Sequence, residues 1–281
     1  MTAQRGFAPV DGTSLYYEVT GSGPAIVLLH GRGADHRMWQ EQVPAFAPRY
    51  RVVNYDMRGF GQSAPGENRY AHADDLAALL DALHIERVVP IGISMGGGAA
   101  INFALQHPRR VRALVSVDGS LGGFAWSEEF NAMMGRVQRA AVEAGVDAAK
   151  DLYLGSPIFS EVRAMPGAGD LLRLTLHDYS GWHWFHEDRG RALEPPAIAR
   201  LASIDVPALV IVGEQDMSDF HAIAATLERG IPAVRKVVLE GVGHVPNMEA
   251  PERFNRLVLG FLDEVHAATV GESRGAAPHG G

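Results

Sequence analysis

The chain has 281 residues, 47% of them hydrophobic and 21% charged, with a formal net charge of -8. That is enough apolar mass for a buried core and too little positive charge for a nucleic-acid partner, whose phosphates need a basic face. Cysteine is absent, which excludes disulfides, thiolate zinc sites and a cysteine nucleophile. The N-terminus MTAQRGFAPVDG carries no apolar leader and no apolar run approaches membrane-spanning length, so a soluble, cytoplasmic protein is expected.

In chain order, residues 7–10 and 14–19 read as a strand pair turning at Asp11-Gly12. The unbroken apolar run AIVLLH, 25–30, suits a central strand covered on both faces. A helix is predicted over 38–48, a strand over 51–56 and an amphipathic helix over 71–84. VVPIGI, 88–93, is a second buried strand, with Pro90 counting mildly against it because proline donates nothing to a ladder. A helix over 95–107, stopped at His107-Pro108, and a strand over 111–118 follow. After a long interruption come strand 208–213, helix 219–229, strand 234–240 and a final helix over 251–266. Strands alternating with helices predict an α/β fold with a mainly parallel sheet, its core formed by 1–121 and 203–267. The interruption, 122–202, holds three of the four tryptophans and shows helical patterns at 127–144 and 168–178 but no strand. It reads as a helical cap inserted into the core. The tail 268–281, rich in glycine, alanine and proline, reads as disordered.

One stretch concentrates chemistry. Gly92-Ile93-Ser94-Met95-Gly96 fits G-x-S-x-G between a predicted strand and a predicted helix, the setting in which a serine is lifted off a sheet edge on a strained turn. Residues two before and two after such a serine crowd each other and need minimal side chains. The following helix offers its N-terminal amides and dipole to negative charge. A hydroxyl needs a base and the base an orienting acid, expected in the order serine, acid, histidine. His244, in LEGVGHVPNMEAPERF after strand 234–240, is the candidate base. Asp216, after strand 208–213, leads as the acid; Asp118, at the end of strand 111–118, is its rival, and Asp219 reads as a cap of helix 219–229. Oxyanion donors are expected from the Met95 amide and, in the loop His30-Gly31-Arg32-Gly33, from the Arg32 amide. The Arg32 side chain either meets a substrate carboxylate or is solvated. Phe124, Trp126, Tyr153, Trp182 and Trp184 are candidates for the wall of an apolar substrate pocket, with packing inside the cap as the alternative for each. His177, His183 and His186 read as pocket or surface residues, and His266 and His279 as unrelated to the site.

The motifs HGRG (30–33), YDMRGFGQS (55–63), GISMGG (92–97), VGEQD (212–216) and GVGH (241–244) together resemble the α/β-hydrolase fold superfamily, from about 7 to 266. Within it, HGRGADHRMWQEQVPAF and DYSGWHWF (178–185) resemble small bacterial carboxylesterases and enol-lactonase-type hydrolases. The resemblance implies an eight-stranded, mostly parallel sheet with a helical cap, the roles already given to Ser94, Asp216 and His244, and structural rather than catalytic roles for Asp56 and Arg58. Serine at the elbow disfavours the carbon–halogen and epoxide chemistries, which use aspartate there. No cofactor is expected, since no G-x-G-x-x-G follows the first strands, and no metal, since none of the twelve histidines forms H-x-x-x-H or H-E-x-x-H. The expected partner is a small-molecule ester or lactone, cleaved through an acyl-enzyme on Ser94. Carbon–carbon bond hydrolysis or perhydrolysis by the same triad, and a receptor-like protein with negligible turnover, are the alternatives. The oligomeric state is not legible.

Overall fold

Ala25–Leu29 (β3) is buried at every position, as an unbroken apolar run requires of a strand with neighbours on both edges and helices on both faces. In the computed structural model, which describes residues 2–186 and 189–275, β3 lies between Arg51–Tyr55 (β4) and Val88–Ile93 (β5). Gln4–Val10 (β1) and Thr13–Thr20 (β2) form a hairpin at one edge, and Leu114–Val117 (β6), Ala208–Gly213 (β7) and Val234–Leu239 (β8) extend the other. The eight strands run in the order β1-β2-β4-β3-β5-β6-β7-β8. Only the β1–β2 and β2–β4 pairings are antiparallel. Pro90 does not disturb this arrangement: the β5–β6 ladder begins at Ile91 opposite Val115, just beyond it.

Ten helices accompany the sheet among the described residues: α1 Val43–Phe46, α2 His72–Ala82, α3 Met95–Gln106, α4 Glu128–Ala144, α5 Val146–Leu154, α6 Ala168–Asp178, α7 Trp182–Phe185, α8 Ser218–Gly230, α9 Pro246–Glu249 and α10 Pro251–Gly275. The helix expected over 38–48 is instead a 3-10 turn at His36–Trp39 followed by α1, because Asp35 caps the first turn by accepting from the Arg37 amide and Pro44 starts a new one. Strand β6 is shorter than 111–118; Val111 touches the sheet only through a bridge to Val88. The last helix runs on to Gly275, beyond its expected end at 266 and into the stretch read as a disordered tail; residues 276–281, with His279, lie outside the described residues. No described helix is long and apolar enough to cross a membrane.

Helices α4 to α7 all fall between β6 and β7. Ser127 starts this segment by capping α4, its hydroxyl accepting from the Phe130 amide. Asp219, expected to cap α8, lies inside that helix and ties the segment to the sheet: its carboxylate accepts from the Ser127 amide at 2.7 Å and the Ser127 hydroxyl at 2.8 Å. Two further buried carboxylates brace the loop after β4. Arg58, fully buried, makes two hydrogen bonds of 2.8 and 2.6 Å to Asp75 and lies over the Tyr70 ring. Asp56 accepts from the His36 ring and amide and from the Gln62 amide.

Candidate active site

Ser94 joins β5 to α3 with φ 54 and ψ -118, a conformation that side-chain-bearing residues rarely adopt. It costs on the order of 1–3 kcal/mol and persists only where the surroundings over-determine it. Three backbone hydrogen bonds do so: the Ser94 amide donates to Val117 O at 2.9 Å, and Ser94 O accepts from Ser120 at 2.9 Å and Gly98 at 3.1 Å. The same crowding explains the glycines. A Cβ on Gly92 would strike the Gly96 carbonyl, and one on Gly96 would strike the carbonyls of Leu29 and His30.

The loop after β3 is pinned against this turn by a buried histidine. His30 Nδ1 lies 2.8 Å from the Gly31 carbonyl, and its Nε2 lies 2.9 Å from the Met57 amide. A carbonyl only accepts and an amide N–H only donates, so the ring carries its proton on Nδ1 and is neutral. Burial accordingly depresses its pKa. Gly31 then approaches the serine so closely that a Cβ there would stand 3.5 Å from Ser94 Cβ. Among the described residues, neither the Arg32 nor the Met95 N–H finds an acceptor in the chain. Both residues line the cavity that opens at Ser94.

His244 Nδ1 lies 2.8 Å from Asp216 Oδ2, both side chains buried. The other Asp216 oxygen accepts from the Met217 amide at 2.7 Å. The imidazole is held from two more sides: the Phe220 ring packs 4.3 Å from it, and Glu249 accepts from the amides of Gly243 and Val245 on either flank. Ser94 and His244 line one narrow cleft together with Gly31 and Arg32. Asp118 is near but differently engaged. Its Oδ1 accepts from the Gly213 amide at 2.9 Å, and no N–H or O–H is aimed at its Oδ2. Burial, then the charge of Asp216, then a hydrogen bond to Asp216 raise its pKa well above the ordinary carboxylate range. The protonated form of Asp118 is thereby favoured, with a carboxylate oxygen of each residue within 4.8 Å of the other.

A cavity of about 450 Å³ opens from Ser94 under the helical segment. Trp126, Tyr153 and Trp184 line it as expected. Phe124 and Trp182 are not in its lining: Phe124 backs Trp126 edge-on at 5.5 Å, and Trp182 stacks on His186 at 4.9 Å. Three lining residues missed in the sequence, Phe130, Met134 and Gln138, repeat every fourth position along α4, a stripe that helical spacing could have exposed. Phe220 carried no comparable signal; it enters because α8 follows the Asp216 loop. Of His177, His183 and His186 in the α6–α7 segment, His183 lines the cavity, while His177 and His186 are exposed.

The description "alpha/beta hydrolase fold" belongs to the family profile that matches residues 24–141. A 3-oxoadipate enol-lactonase of Acinetobacter baylyi is 30% identical over 260 residues, covering 90% of this chain and 95% of its own. A 2-hydroxy-6-oxononadienedioate/2-hydroxy-6-oxononatrienedioate hydrolase of Burkholderia vietnamiensis is 33% identical, with 90% and 92% covered. The crystal structure of an enol-lactonase from Burkholderia xenovorans superposes with a TM-score of 0.80 at 27% identity, covering 92% of this chain and all of that one. With near-complete coverage in both directions, and the same sheet beneath it, the chain belongs to the α/β-hydrolase fold family.

Proposed function

We propose that this protein hydrolyses a small carboxylic ester or lactone through an acyl-enzyme on Ser94. The observation that carries the reading is the buried 2.8 Å pairing of His244 with Asp216 in the cleft that also holds Ser94. Because a carboxylate accepts, Nδ1 carries the imidazole proton and Nε2 presents a lone pair. His244 takes the hydroxyl proton as Ser94 Oγ bonds to the carbonyl carbon. Asp216 steadies the imidazolium. The Arg32 and Met95 amides receive the oxyanion, a service typically worth a factor of about 10²–10³ per donor. The imidazolium then protonates the leaving alkoxide, and after departure the same nitrogen deprotonates water to clear the acyl group. Residues 1–121 and 203–267 act as the catalytic core and 122–202 as a cap closing an apolar pocket of Trp126, Tyr153 and Trp184 over the ester. Relatives named enol-lactonase support the substrate class.

Carbon–carbon bond hydrolysis is the second reading, favoured by the 33% identical dienedioate hydrolase. A panel of nitrophenyl esters, lactones and vinylogous diketones, run with wild type and Ser94→Ala, tests both. The ester reading predicts turnover of the first two classes, loss of a thousandfold or more in Ser94→Ala, and an acyl adduct on Ser94 in intact-mass spectra. Equal rates in the two proteins refute it.

A further inference from the structure

Arg32 lines the Ser94 cavity, the narrow cleft shared with His244, and an adjoining cavity of about 470 Å³. It is half-buried. Among the described residues its guanidinium makes no hydrogen bond or ion pair. Its neighbours around the site behave otherwise: Arg37 faces Asp35 and Asp178, Arg58 faces Asp75, and Arg191 faces Asp74. A guanidinium withdrawn from water without a carboxylate loses solvation that nothing in the chain returns.

Among the described residues, the surroundings leave that charge unopposed: the lining of the Ser94 cavity contains no aspartate or glutamate. In the adjoining cavity Asp74 is taken by Arg191 and His107, and Glu194 stands exposed at the rim without an ion pair to Arg32. The two histidines beside it are neutral: burial, then neighbouring positive charge, holds His72 and His183 down to about 3. His183 Nδ1 lies 2.9 Å from the Tyr179 hydroxyl, whose oxygen already accepts from the His183 amide. When the hydroxyl donates to Nδ1, the ring proton sits on Nε2, which is buried and finds no partner among the described residues.

We infer that the Arg32 side chain binds a carboxylate on the substrate, so that the ester or lactone cleaved at Ser94 carries a second, anionic end. This deepens the Ser94 hydrolase reading and rests on it. The planar guanidinium fork matches a carboxylate in two parallel hydrogen bonds. One unopposed cation among neutral donors balances a single negative charge and not a dianion, which favours a carboxylate over a phosphate. Because the backbone of the same residue flanks the nucleophile, the bound carboxylate lies within one side-chain length of the scissile carbonyl. Half-esters of short dicarboxylic acids fit this spacing.

The test uses the full-length protein and two nitrophenyl esters of matched length, the glutarate half-ester and its neutral methyl-capped analogue. Wild type is expected to prefer the anionic ester. Arg32→Gln keeps the backbone amide, and should lower the anionic-to-neutral ratio of kcat/KM tenfold or more, mainly through KM, with Arg32→Lys restoring part of it. In parallel, monomethyl glutarate, a monoanion, is titrated calorimetrically into Ser94→Ala and into Ser94→Ala/Arg32→Gln. Binding lost with Arg32 supports the assignment even if Ser94 proves not to be a nucleophile. A ratio unchanged in both Arg32 variants, or monomethyl glutarate binding that does not depend on Arg32, overturns it. Failure of the hydrolase reading shows separately, as turnover that survives Ser94→Ala.

Discussion

Replacing Asp216 with asparagine and, separately, Asp118 with asparagine separates the two carboxylates that share the site. Their acceptor oxygens and His244 lie within 4.8 Å of one another, yet the expected effects differ by orders of magnitude. In Asp216→Asn the side-chain oxygen stays with the Met217 amide, and the NH₂ faces His244 Nδ1 at the 2.8 Å position. That NH₂ donates where the carboxylate accepted. The imidazole must then carry its proton on Nε2, where it cannot take one from Ser94. A change of this kind in a serine–histidine–aspartate triad costs about 10⁴ in kcat, or roughly 5.5 kcal/mol at 1.36 kcal/mol per decade. Asp118→Asn swaps a protonated carboxyl for a neutral amide of the same shape. The oxygen still accepts from Gly213, and the NH₂ offers a neutral donor near Asp216. Less than a tenfold loss of kcat is expected. Stability should rise, because an acid whose pKa is raised by folding takes up a proton as the chain folds, so its ionisation weakens the native state as pH climbs above about 3.8. The asparagine removes that cost, and its advantage in melting temperature should vanish near pH 3 and grow toward pH 7. Steady-state nitrophenyl acetate hydrolysis and thermal unfolding across pH read both effects. A crippled Asp118→Asn beside an active Asp216→Asn would refute the assignment.

The His36–Asp56 pair gives a second pH signature. Burial alone would lower the His36 pKa, but the hydrogen bond to and charge of Asp56 outweigh it and hold it above its ordinary value; burial would raise Asp56, and His36 keeps it low. The stabilisation is present between the depressed acid and the raised imidazole, and disappears as pH rises through the folded His36 pKa above about 6.5. Wild type should lose more melting temperature between pH 6 and 9 than His36→Asn does. Arg58→Met strands Asp75 in the interior and should cost about 3–5 kcal/mol in urea unfolding, with much of it recovered in Arg58→Met/Asp75→Leu. Gly96→Ala drives a methyl into the Leu29 and His30 carbonyls; it should destabilise the chain by about 2 kcal/mol or more and reduce activity in whatever folded fraction remains. Recovery of wild-type melting and kcat would contradict the crowding described at the elbow.

Elements whose apolar runs or periodicity were long were legible: β3, β5, β7, α2, α3 and α8 stand within a residue or two of expectation at most ends. Elements set by tertiary context were not. The short α9 forms because Glu249 reaches back to the amides of Gly243 and Val245, a carboxylate whose partners are invisible until the His244 loop closes. The pocket wall was half legible for the same reason. Aromatic content singled out Trp126, Tyr153 and Trp184 but also Phe124 and Trp182, since composition does not say which way a ring faces.

The rivalry between Asp118 and Asp216 has a topological origin. β6 and β7 are adjacent and parallel, with Val117 opposite Ile211, so carboxylates just past their ends emerge side by side, and a scan along the chain ranks both. The strand order resolves them. His244 follows β8, whose partner is β7 and not β6, so the imidazole descends beside the β7 carboxylate and meets Asp216 first. The carboxylate one strand further in is then enclosed with an anion and no cation of its own. Burial and the neighbouring Asp216 charge favour its protonated form, and a neutral carboxyl competes poorly for the imidazole that Asp216 already holds.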